Sequence, residues 1–589
     1  MEHQQDALGH CGAYAPQPNK PVGLPLPMSG PVAELQTHLL GPLPLVNHFL
    51  RRLHTPEHLR RHLSPSPGTH LDHASCLGVL LRNVLLAREP LYGLSGWAAP
   101  YRTDLFDLEP GEEALLNDDR VGRSLDALFD ADRATLLTGL VVQMVREFGV
   151  ALDRFHNDST TVTLQGAYKE AAGEPKRGKP TLKAALGHNK DHRPDLKQLL
   201  WILTISADGA VPVHYRVEDG NTNDTPTHRE SWEALVSLRG NPDFLYVADS
   251  KLCDGDTLRY IDGKGGRFLT VLPRTRKEDR LFREHVQTHE LAWEVVRWRR
   301  NPRNQGRSSD VWKMVESPIP AADGFRLVWV WNSLMAEQDL ESREERITEA
   351  LSKLEDLERR LQRPRTKLRT RATVERAAEK TVKASALRWV GWEVREEPVE
   401  VFHQERRGRP GKETKYRREV KTRFHVTAQL KKDVIAYDAK SDGMFPLLTN
   451  ERQLTLKQLL ECYHFQPRLE KRHEQLKTVH EVTPVLLKNV DRIEALLFIY
   501  FLALLVESLI EREVRKGMER EHLESIPLYP EGRPCPAPTT EKILEAFDCI
   551  EVHRRRKTGE QEEVYGPKLT EQQRQLLRLA GVPEAVYSV

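Results

Sequence analysis

The stretch of residues 150–275 constrains the fold most, because its pattern changes between strand and helix at regular intervals. Two β-branched segments, RFHNDSTTVTL and QLLWILTISADGAVPVHYRV, predict strands, and an Ala-Asp-Gly-Ala turn inside the second predicts a hairpin. A helical pattern follows, and then FLYVADS and RFLTVLP predict two buried strands on either side of another helix. The predicted order is therefore three strands, helix, strand, helix, strand, as in an α/β fold built on one sheet.

The regions before this stretch have a different composition. Residues 1–30 are rich in proline, glycine and polar residues, which predicts a loose leader. Residues 31–149 have apolar residues spaced by three and four, which predicts an N-terminal helical domain. A chain of 589 residues is long enough for several structural units. The helical domain is expected either to bind DNA or to form a dimer.

A highly charged stretch, residues 276–439, interrupts the α/β pattern, and we interpret it as an α+β insertion. An apolar stripe on a charged helix within it predicts a solvated helical hairpin packed on the core, with an intermolecular coiled coil as the less favoured alternative. Eleven Lys and Arg residues between 404 and 432 predict a surface that contacts phosphates. The members of the stripe are Ile347, Leu351, Leu354, Leu357 and Leu361.

The α/β pattern resumes in residues 440–525, which we expect to form the second part of the core. The segment DGMFPLLTN predicts a strand, Pro467 is a suitable first residue for a helix, and Val490–Ile510 predicts a mostly buried helix. Residues 526–589 begin with a proline-rich linker and predict a short C-terminal tail domain.

The overall composition excludes several classes of protein. A net charge of +2 does not by itself indicate a nucleic-acid-binding protein, so that inference depends on local clusters. Six scattered cysteines without a Cys-x-x-Cys pair argue against a disulfide framework and a structural zinc site, and fit a reducing cytoplasm. No secretory signal is evident at the N-terminus, and the longest apolar run is too short to span a bilayer.

Two aspartates occur where strands are expected to present side chains to a site. Asp158 lies at the entry to a β-branched run, and Asp249 ends the apolar strand FLYVADS. Sites in sheet proteins commonly lie at the carboxyl ends of strands, so the two carboxylates are expected to converge. Carboxylates can hold two divalent ions that activate the attacking oxygen and stabilise the leaving oxygen in phosphodiester chemistry.

A third acid is expected from the segment YHFQPRLEKRHEQLK. If a helix starts at Pro467, then Glu470, His473, Glu474 and Lys477 lie on one face of it. That face would address the carboxylate site and a phosphate together. Glu470 and Glu474 are both candidates for the third acid on this ground alone.

The segments NDSTT, GNTNDTPT and VADS, together with Tyr463-x2-Gln466-x3-Glu470-x6-Lys477, resemble the transposases of bacterial insertion sequences. The resemblance is to insertion-sequence family four and its family sixteen-thirty-four branch. It implies an RNase H-like catalytic core interrupted by an insertion, and a DDE transposase that cleaves DNA at the ends of the element and joins them to target DNA. It also implies Mg²⁺, for which Mn²⁺ can substitute, as the metal of the reaction.

The resemblance further implies the roles of individual residues. Asp158, Asp249 and Glu470 would be the catalytic and metal-binding triad, and Glu470 is favoured over Glu474 because only Glu470 has the family spacing to Tyr463 and Lys477. DNA-phosphate contacts are expected from Tyr463, Gln466, Arg468 and Lys477.

The chain departs from the family at position 466, where the family has arginine and this chain has glutamine. Glutamine can hydrogen-bond a phosphate but has no charge, so Arg468 or Arg472 is a candidate replacement. Supporting roles are expected for His188, Asn221 and Asp224. A polar loop explains His188 equally well, and a turn with a helix N-cap explains the other two.

The implied partners are double-stranded DNA with terminal inverted repeats, target DNA and further copies of the chain in a synaptic assembly of at least two. The implied location is the bacterial cytoplasm, on the nucleoid. A transposase-derived protein that binds DNA without cutting it is the main alternative. A charged helical scaffold without a nucleic-acid role would explain the insertion but not the ordered strands and acids.

Overall fold

The computed structural model describes residues 34–65, 68, 70–169, 171–191, 193–300, 309–363, 366–480, 482, 487–556 and 563–588. The leader predicted for residues 1–30 lies outside these ranges.

The N-terminal region is helical, as its apolar spacing predicts, but it opens with a strand. That strand was not expected, because only its pairing with a segment near the C-terminus identifies it. Asp72, Asn117 and Asp132 cap three of the helices by accepting a hydrogen bond from a backbone N–H in the first turn. The elements are β1 (Glu34–Leu39), α1 (Leu43–Arg52), α2 (Thr55–His62), α3 (His73–Leu86), α4 (Leu94–Ala98), α5 (Asp118–Asp130) and α6 (Arg133–Phe148).

The next elements confirm the predicted order of three strands, helix, strand, helix, strand. They are β2 (Arg154–Leu164), β3 (Lys197–Ser206), β4 (Pro212–Glu218), α7 (Asp224–Arg239), β5 (Leu245–Ala248), α8 (Gly255–Gly263) and β6 (Arg267–Val271). Strands β2, β3 and β4 form an antiparallel meander, and β5 and β6 add to the other side of β2 in parallel. Almost every residue of β2, β3 and β5 is buried, because helices cover the sheet.

Part of the predicted insertion belongs to the main sheet. The elements here are α9 (Lys277–His285), β7 (Glu294–Arg299), β8 (Asp310–Glu316), β9 (Arg326–Asn332), α10 (Ser333–Leu361), α11 (Arg371–Thr381), β10 (Val390–Gln404), β11 (Tyr416–Leu430) and α12 (Lys432–Ala439). The next strand, β12 (Met444–Thr449), joins β6 to β9, so the sheet has nine strands in the order β4-β3-β2-β5-β6-β12-β9-β8-β7. The segment that stands apart from the sheet is therefore 333–439.

That separate segment has its own apolar core. Helices α10 and α11 pack against the base of the β10–β11 hairpin, and Leu354, Leu357 and Leu361 are buried in this contact. Ile347 and Leu351 are partly buried beside them. The apolar stripe therefore packs within one chain, as the favoured interpretation predicts.

The remainder of the chain returns to the first core. Its elements are α13 (Leu456–Tyr463), α14 (Gln466–Glu474) with a π-helical extension (Gln475–Val479), α15 (Val490–Arg520), β13 (Ile526–Pro527), β14 (Pro534–Cys535), α16 (Thr540–Glu545), β15 (Glu551–Arg556), β16 (Glu563–Tyr565) and α17 (Glu571–Ala580). Strand β15 pairs with β1, and α17 packs on α15, so the predicted tail shares its contacts with the rest of the protein.

Helix α15 is the centre of the largest core and extends beyond the predicted end at Ile510. It packs against α1, α3, α5 and β4. By length and composition it is the one described helix that could cross a membrane, with a mean hydropathy of 2.3 over its most apolar window. Since 89% of that window is buried inside the protein, the helix has the surroundings of a core helix.

Candidate active site at the ends of two parallel strands

The register of β2 and β5 places Asp158 beside Asp249. These strands are parallel, and their last paired residues are Asn157 on β2 and Ala248 on β5. The next residue on each chain segment is an aspartate, so the two carboxylates stand at equivalent positions where the pairing of β2 with β5 ends. Asp249 directly follows the last residue of β5, whereas Asp158 lies within β2, which continues to Leu164 and pairs with β3. Adjacent strands lie about 4.8 Å apart. The sheet therefore brings together the first two acids that the sequence predicts.

The electrostatic environment of Asp249 reflects this neighbour. Burial of the carboxylate raises the pKa of Asp249, a hydrogen bond from the Lys251 backbone N–H (3.0 Å) opposes this, and the charge of Asp158 raises the pKa further. The Asp249 side chain is 44% exposed, so it remains accessible from solvent. The two carboxylates repel each other at a position that is open to solvent. A cation bound there would balance their negative charge.

A loop after β2 covers Asp158 with positive charge. The Lys190 ammonium lies 3.5 Å from Asp158 Oδ1 and donates hydrogen bonds to the Ser159 hydroxyl (3.0 Å) and backbone carbonyl. The Ser159 backbone N–H donates to the same Asp158 oxygen at 2.8 Å. From the sequence, Lys190 is expected either to bind DNA or order the site, or to belong to a polar loop with internal ion pairs. The structure shows that this loop reaches the candidate site.

Helix α14 packs directly on β2 beside the acids. The ring of Phe465 lies 4.9 Å from that of His156 on β2, and Gln466 Oε1 is 3.2 Å from His156 Nδ1. About two turns further along α14, His473 is buried with Nε2 3.8 Å from Asp158 Oδ2. Burial lowers the pKa of His473 to about 3, and the charges of Lys190 and Lys477 act in the same direction. The predicted helix therefore runs past the first acid.

Glu470 is exposed on the same helix, one turn before His473. Its position relative to the aspartates is indicated by Tyr463, the last residue of α13. Burial raises the pKa of Tyr463 to about 12, and the charges of Glu470 and then Asp249 add to this effect. Tyr463 therefore lies within electrostatic reach of both Glu470 and Asp249. Glu474 is also exposed, at the end of α14.

Lys477 lies in the π-helical turn and is held by an ion pair. Its ammonium is 2.5 Å from Asp191 Oδ1, and Asp191 also accepts a hydrogen bond from the Thr163 hydroxyl at 3.1 Å. The π-helical turn changes the helical register after Glu474. Lys477 consequently points to the loop beyond β2, where Lys190 also lies.

Two of the expected phosphate contacts are placed differently from the prediction. Gln466 is buried, and its amide is engaged with His156, so it does not present a free amide to a phosphate. Arg472 is also buried, and its guanidinium donates to Glu511 Oε2 (2.9 Å) and the Ala210 carbonyl (3.1 Å). Arg468 is exposed. It lies one helical turn before Arg472, on the side of α14 that faces away from Glu470.

The expected supporting residues occupy exposed loop positions and the start of a helix. His188 and Asn221 are exposed. Asp224 is the first residue of α7, and the N-cap is Asn223, whose side chain accepts from the Thr225 N–H at 3.2 Å. The N-cap predicted for this segment is therefore supplied by Asn223.

The sequence reasoning missed His228. This residue is buried in α7, with Nε2 4.0 Å from Asp249 Oδ1 and Nδ1 3.1 Å from the Tyr246 hydroxyl. The sequence signal for this residue is its place in the segment TPTHRE, one helical turn after the first residue of α7. Thus each aspartate has a buried histidine close to one oxygen, His473 for Asp158 and His228 for Asp249.

The pair of aspartates fits a divalent metal ion by its chemistry. Carboxylate oxygens are hard ligands of the type that Mg²⁺ and Mn²⁺ prefer, and the repulsion that raises the pKa of Asp249 would be relieved by a cation. Within the described ranges, no group of three or more His, Cys, Asp or Glu side chains is close enough to hold a metal ion. Glu470 therefore does not form a compact group with the two aspartates in this conformation.

Comparison with known proteins adds little to this geometry. A family model described as "Domain of unknown function (DUF4277)" matches residues 35–142, which is the N-terminal helical region. No curated protein matches the chain. Among solved structures, the chain is similar to the cryo-EM structure of the piggyBac transposase synaptic complex with hairpin DNA. The identity is 9% and the TM-score 0.37, over 86% of this chain and 79% of that chain, and no residue role is taken from so distant a likeness.

Proposed function

We propose that the chain is a DDE transposase that cleaves DNA at the ends of an insertion sequence and joins those ends to target DNA. One observation supports this above all. Asp158 and Asp249 directly follow the last pair of residues that joins β2 to β5, and the helix that carries Glu470 packs on β2. The order of β2 to β6 is the one expected of the RNase H-like core that the resemblance to the insertion-sequence family implies.

The proposed mechanism assigns the acids to metal binding. Asp158, Asp249 and Glu470 would hold Mg²⁺, which when bound activates water and stabilises the leaving oxygen of the phosphodiester. His473 and His228 are positioning residues in this scheme, because each is buried against one aspartate and limits the rotation of its carboxylate. A neutral His473 beside Asp158 leaves the negative charge of that carboxylate available for a cation.

Residues around the acids have a second role, in binding the substrate. Lys190 and Lys477 supply positive charge at the acid site, and a DNA phosphate would compete for them with Asp158 and Asp191. Tyr463 is within electrostatic reach of Glu470 and Asp249 and would contact a phosphate near the cut. Arg468 and Gln466 are not assigned this role. The proposed partners are DNA with inverted repeats, target DNA and a second copy of the chain, in a bacterial cytoplasm.

The main alternative is a transposase-derived protein that binds DNA without cutting it. The presence of all three acids favours an active enzyme. A test incubates the protein with DNA that carries the ends of the element and Mg²⁺, and compares it with Asp249→Asn. The proposal expects strand cleavage by the unmodified protein and none by the variant, with equal DNA binding by both. Binding without cleavage by the unmodified protein would support the alternative, and cleavage that persists in Asp249→Asn would exclude this triad.

A further inference from the structure

The β10–β11 hairpin is a long two-stranded ribbon whose contacts with other described elements lie at its base. Each strand has 15 residues, and they pair from Val390–Leu430 to Gln404–Tyr416. At the base, Phe424 is buried, and Glu358 of α10 accepts hydrogen bonds from the Val426 N–H (2.7 Å) and the His425 ring (2.8 Å). These contacts fix the direction of the ribbon relative to α10.

Beyond the pair Pro398–Thr422 the ribbon is exposed on both faces. Phe402 is 58% exposed and Val420 59% exposed, which is unusual for large apolar side chains. Seven residues from Pro398 to Gln404 extend about 23 Å at 3.3 Å per residue. The tip of the ribbon is therefore presented well away from the lobe that anchors it.

Part of the positive charge of the shaft is compensated by ion pairs, and that of the tip is not compensated within the part of the chain that the structure describes. On the shaft, Arg418 pairs with Glu400, and Lys421 pairs with Glu419. At the tip, five cations are exposed, and none of their side chains makes a hydrogen bond or ion pair with another described residue. These cations are Arg406, Arg407, Arg409, Lys412 and Lys415. The positive charge available to a polyanion is concentrated at the tip.

The backbone of the tip is suited to close contact with a narrow surface. Gly408 has a φ of +152°, and no atom lies within 4 Å of the position that a Cβ would take. It stands between Arg407 and Arg409 and is followed by Pro410, whose ring fixes its own φ and removes one N–H donor. Between the side chains of the two arginines, the backbone at Gly408 therefore carries no side chain.

We propose that the tip, Arg407–Pro410, inserts into the minor groove of A·T-rich double-stranded DNA. The minor groove is about 6 Å wide and excludes a two-stranded ribbon, but it admits a single extended segment without a side chain at its centre. Runs of A·T narrow this groove and deepen its negative potential, which attracts arginine. A G·C pair places an amino group on the groove floor, where the Gly408 backbone would lie. The inference rests on DNA as the partner in the proposed function, but not on cleavage.

A binding experiment on the full chain distinguishes binding in the minor groove from binding in the major groove. Fluorescence anisotropy is measured with three duplexes of equal length, composed of A·T, G·C or inosine·cytosine pairs. Inosine lacks the 2-amino group, so inosine·cytosine resembles A·T in the minor groove and G·C in the major groove. The proposal expects the A·T and inosine·cytosine duplexes to bind about tenfold more tightly than the G·C duplex. Equal binding of all three, or inosine·cytosine grouped with G·C, would overturn it.

Matched variants assign the preference to the tip. Arg407→Ala with Arg409→Ala is expected to abolish the tenfold preference, whereas Lys412→Ala with Lys415→Ala removes the same charge and retains it. Gly408→Val keeps every charge but places a branched side chain on the bare backbone, so it is also expected to lose the preference. If the two double variants show the same A·T preference, the tip binds DNA only through its positive charge, and the proposal is wrong.

The result is independent of the cleavage test. A·T preference without cleavage would retain this inference while the proposed activity fails. Cleavage of element ends by a protein with no A·T preference would do the reverse.

Discussion

The acid site and the ribbon tip use basic residues in opposite ways. At the acid site, Lys190 and Lys477 are held by Asp158 and Asp191, and the helix and loop that carry them pack on β2. At the ribbon tip, the arginines are exposed and their neighbours are glycine and proline. The first arrangement requires the whole sheet, and the second requires only a hairpin. Positions at the acid site should therefore affect stability, cleavage or both, whereas positions at the tip should affect binding alone.

The largest expected effect comes from the third acid. Glu470→Gln should lower the cleavage rate by at least on the order of 10⁴-fold, because it removes a carboxylate proposed to hold metal. Glu474→Gln, exposed on the same helix four residues later, is the matched control and should cleave normally. The measurement is the initial rate of strand cleavage at saturating DNA. If Glu474→Gln is instead the inactive variant, the third acid is Glu474.

The anchor of α14 should give the largest change in stability. Arg472→Met leaves the buried Glu511 without its closest cation and should lower the free energy of unfolding by about 3–5 kcal/mol. Arg468→Met on the exposed side should change it by about 0.5 kcal/mol or less. Urea denaturation followed by circular dichroism measures both. Equal effects would mean that the buried pair does not hold α14 on the sheet.

The sheet side of the molecule should also be sensitive to acid. Glu278 accepts hydrogen bonds from Arg276 and from the Ala322 N–H, and these lower its pKa to about 2 although burial opposes the shift. An acid whose folded pKa is depressed adds stability above its unfolded pKa, and this is lost as the pH falls from about 4.5 towards 2.

Glu278→Gln should therefore cost up to about 3 kcal/mol at pH 7 and nothing near pH 2. Glu284→Gln, on the exposed side of α9, is the control and should show little effect at either pH. Urea denaturation at both pH values gives the comparison. A loss of stability for Glu278→Gln that is the same at pH 7 and pH 2 would contradict the assignment.

The smallest effect is expected on the distal ribbon. Phe402→Ala should change the free energy of unfolding by about 0.5 kcal/mol or less, because the side chain is exposed in the free protein. Phe424→Ala at the buried base is the comparison and should cost about 3 kcal/mol or more. A large loss for Phe402→Ala would show that the ribbon packs against another part of the protein in solution.

Much of the sheet could be predicted from local patterns. Period-two and apolar runs indicated β2 to β6, and helical spacing indicated α7, α8 and α15. The two aspartates could be paired in advance because they follow strands that share a sheet. The apolar stripe on α10 packs within one chain, as predicted, but against α11 and the β10–β11 hairpin rather than on the main core. Its partners are neighbours in the chain, and such elements are usually neighbours in space.

The rest depended on contacts between distant segments. Strand β1 is recognisable only from its pairing with β15, and β7 to β9 join the main sheet only through β12. The burial of Gln466 and Arg472 follows from the side of α14 that faces His156 and Glu511, which helical spacing alone does not reveal. His228 was missed because a buried histidine and a solvated one look the same in a sequence.

Helix α15 also determines when the chain becomes stable during synthesis. The N-terminal helices α3 and α5 bury their apolar faces against it, yet more than 300 residues separate it from α6. At about 5–20 residues per second, a ribosome needs roughly 20–70 s to cover that interval. Until then, the apolar faces of α3 and α5 that later pack on α15 are exposed to water and to chaperones. A chain stopped before residue 490 therefore lacks this shared core, and the apolar surface of α3 and α5 that α15 would cover stays exposed.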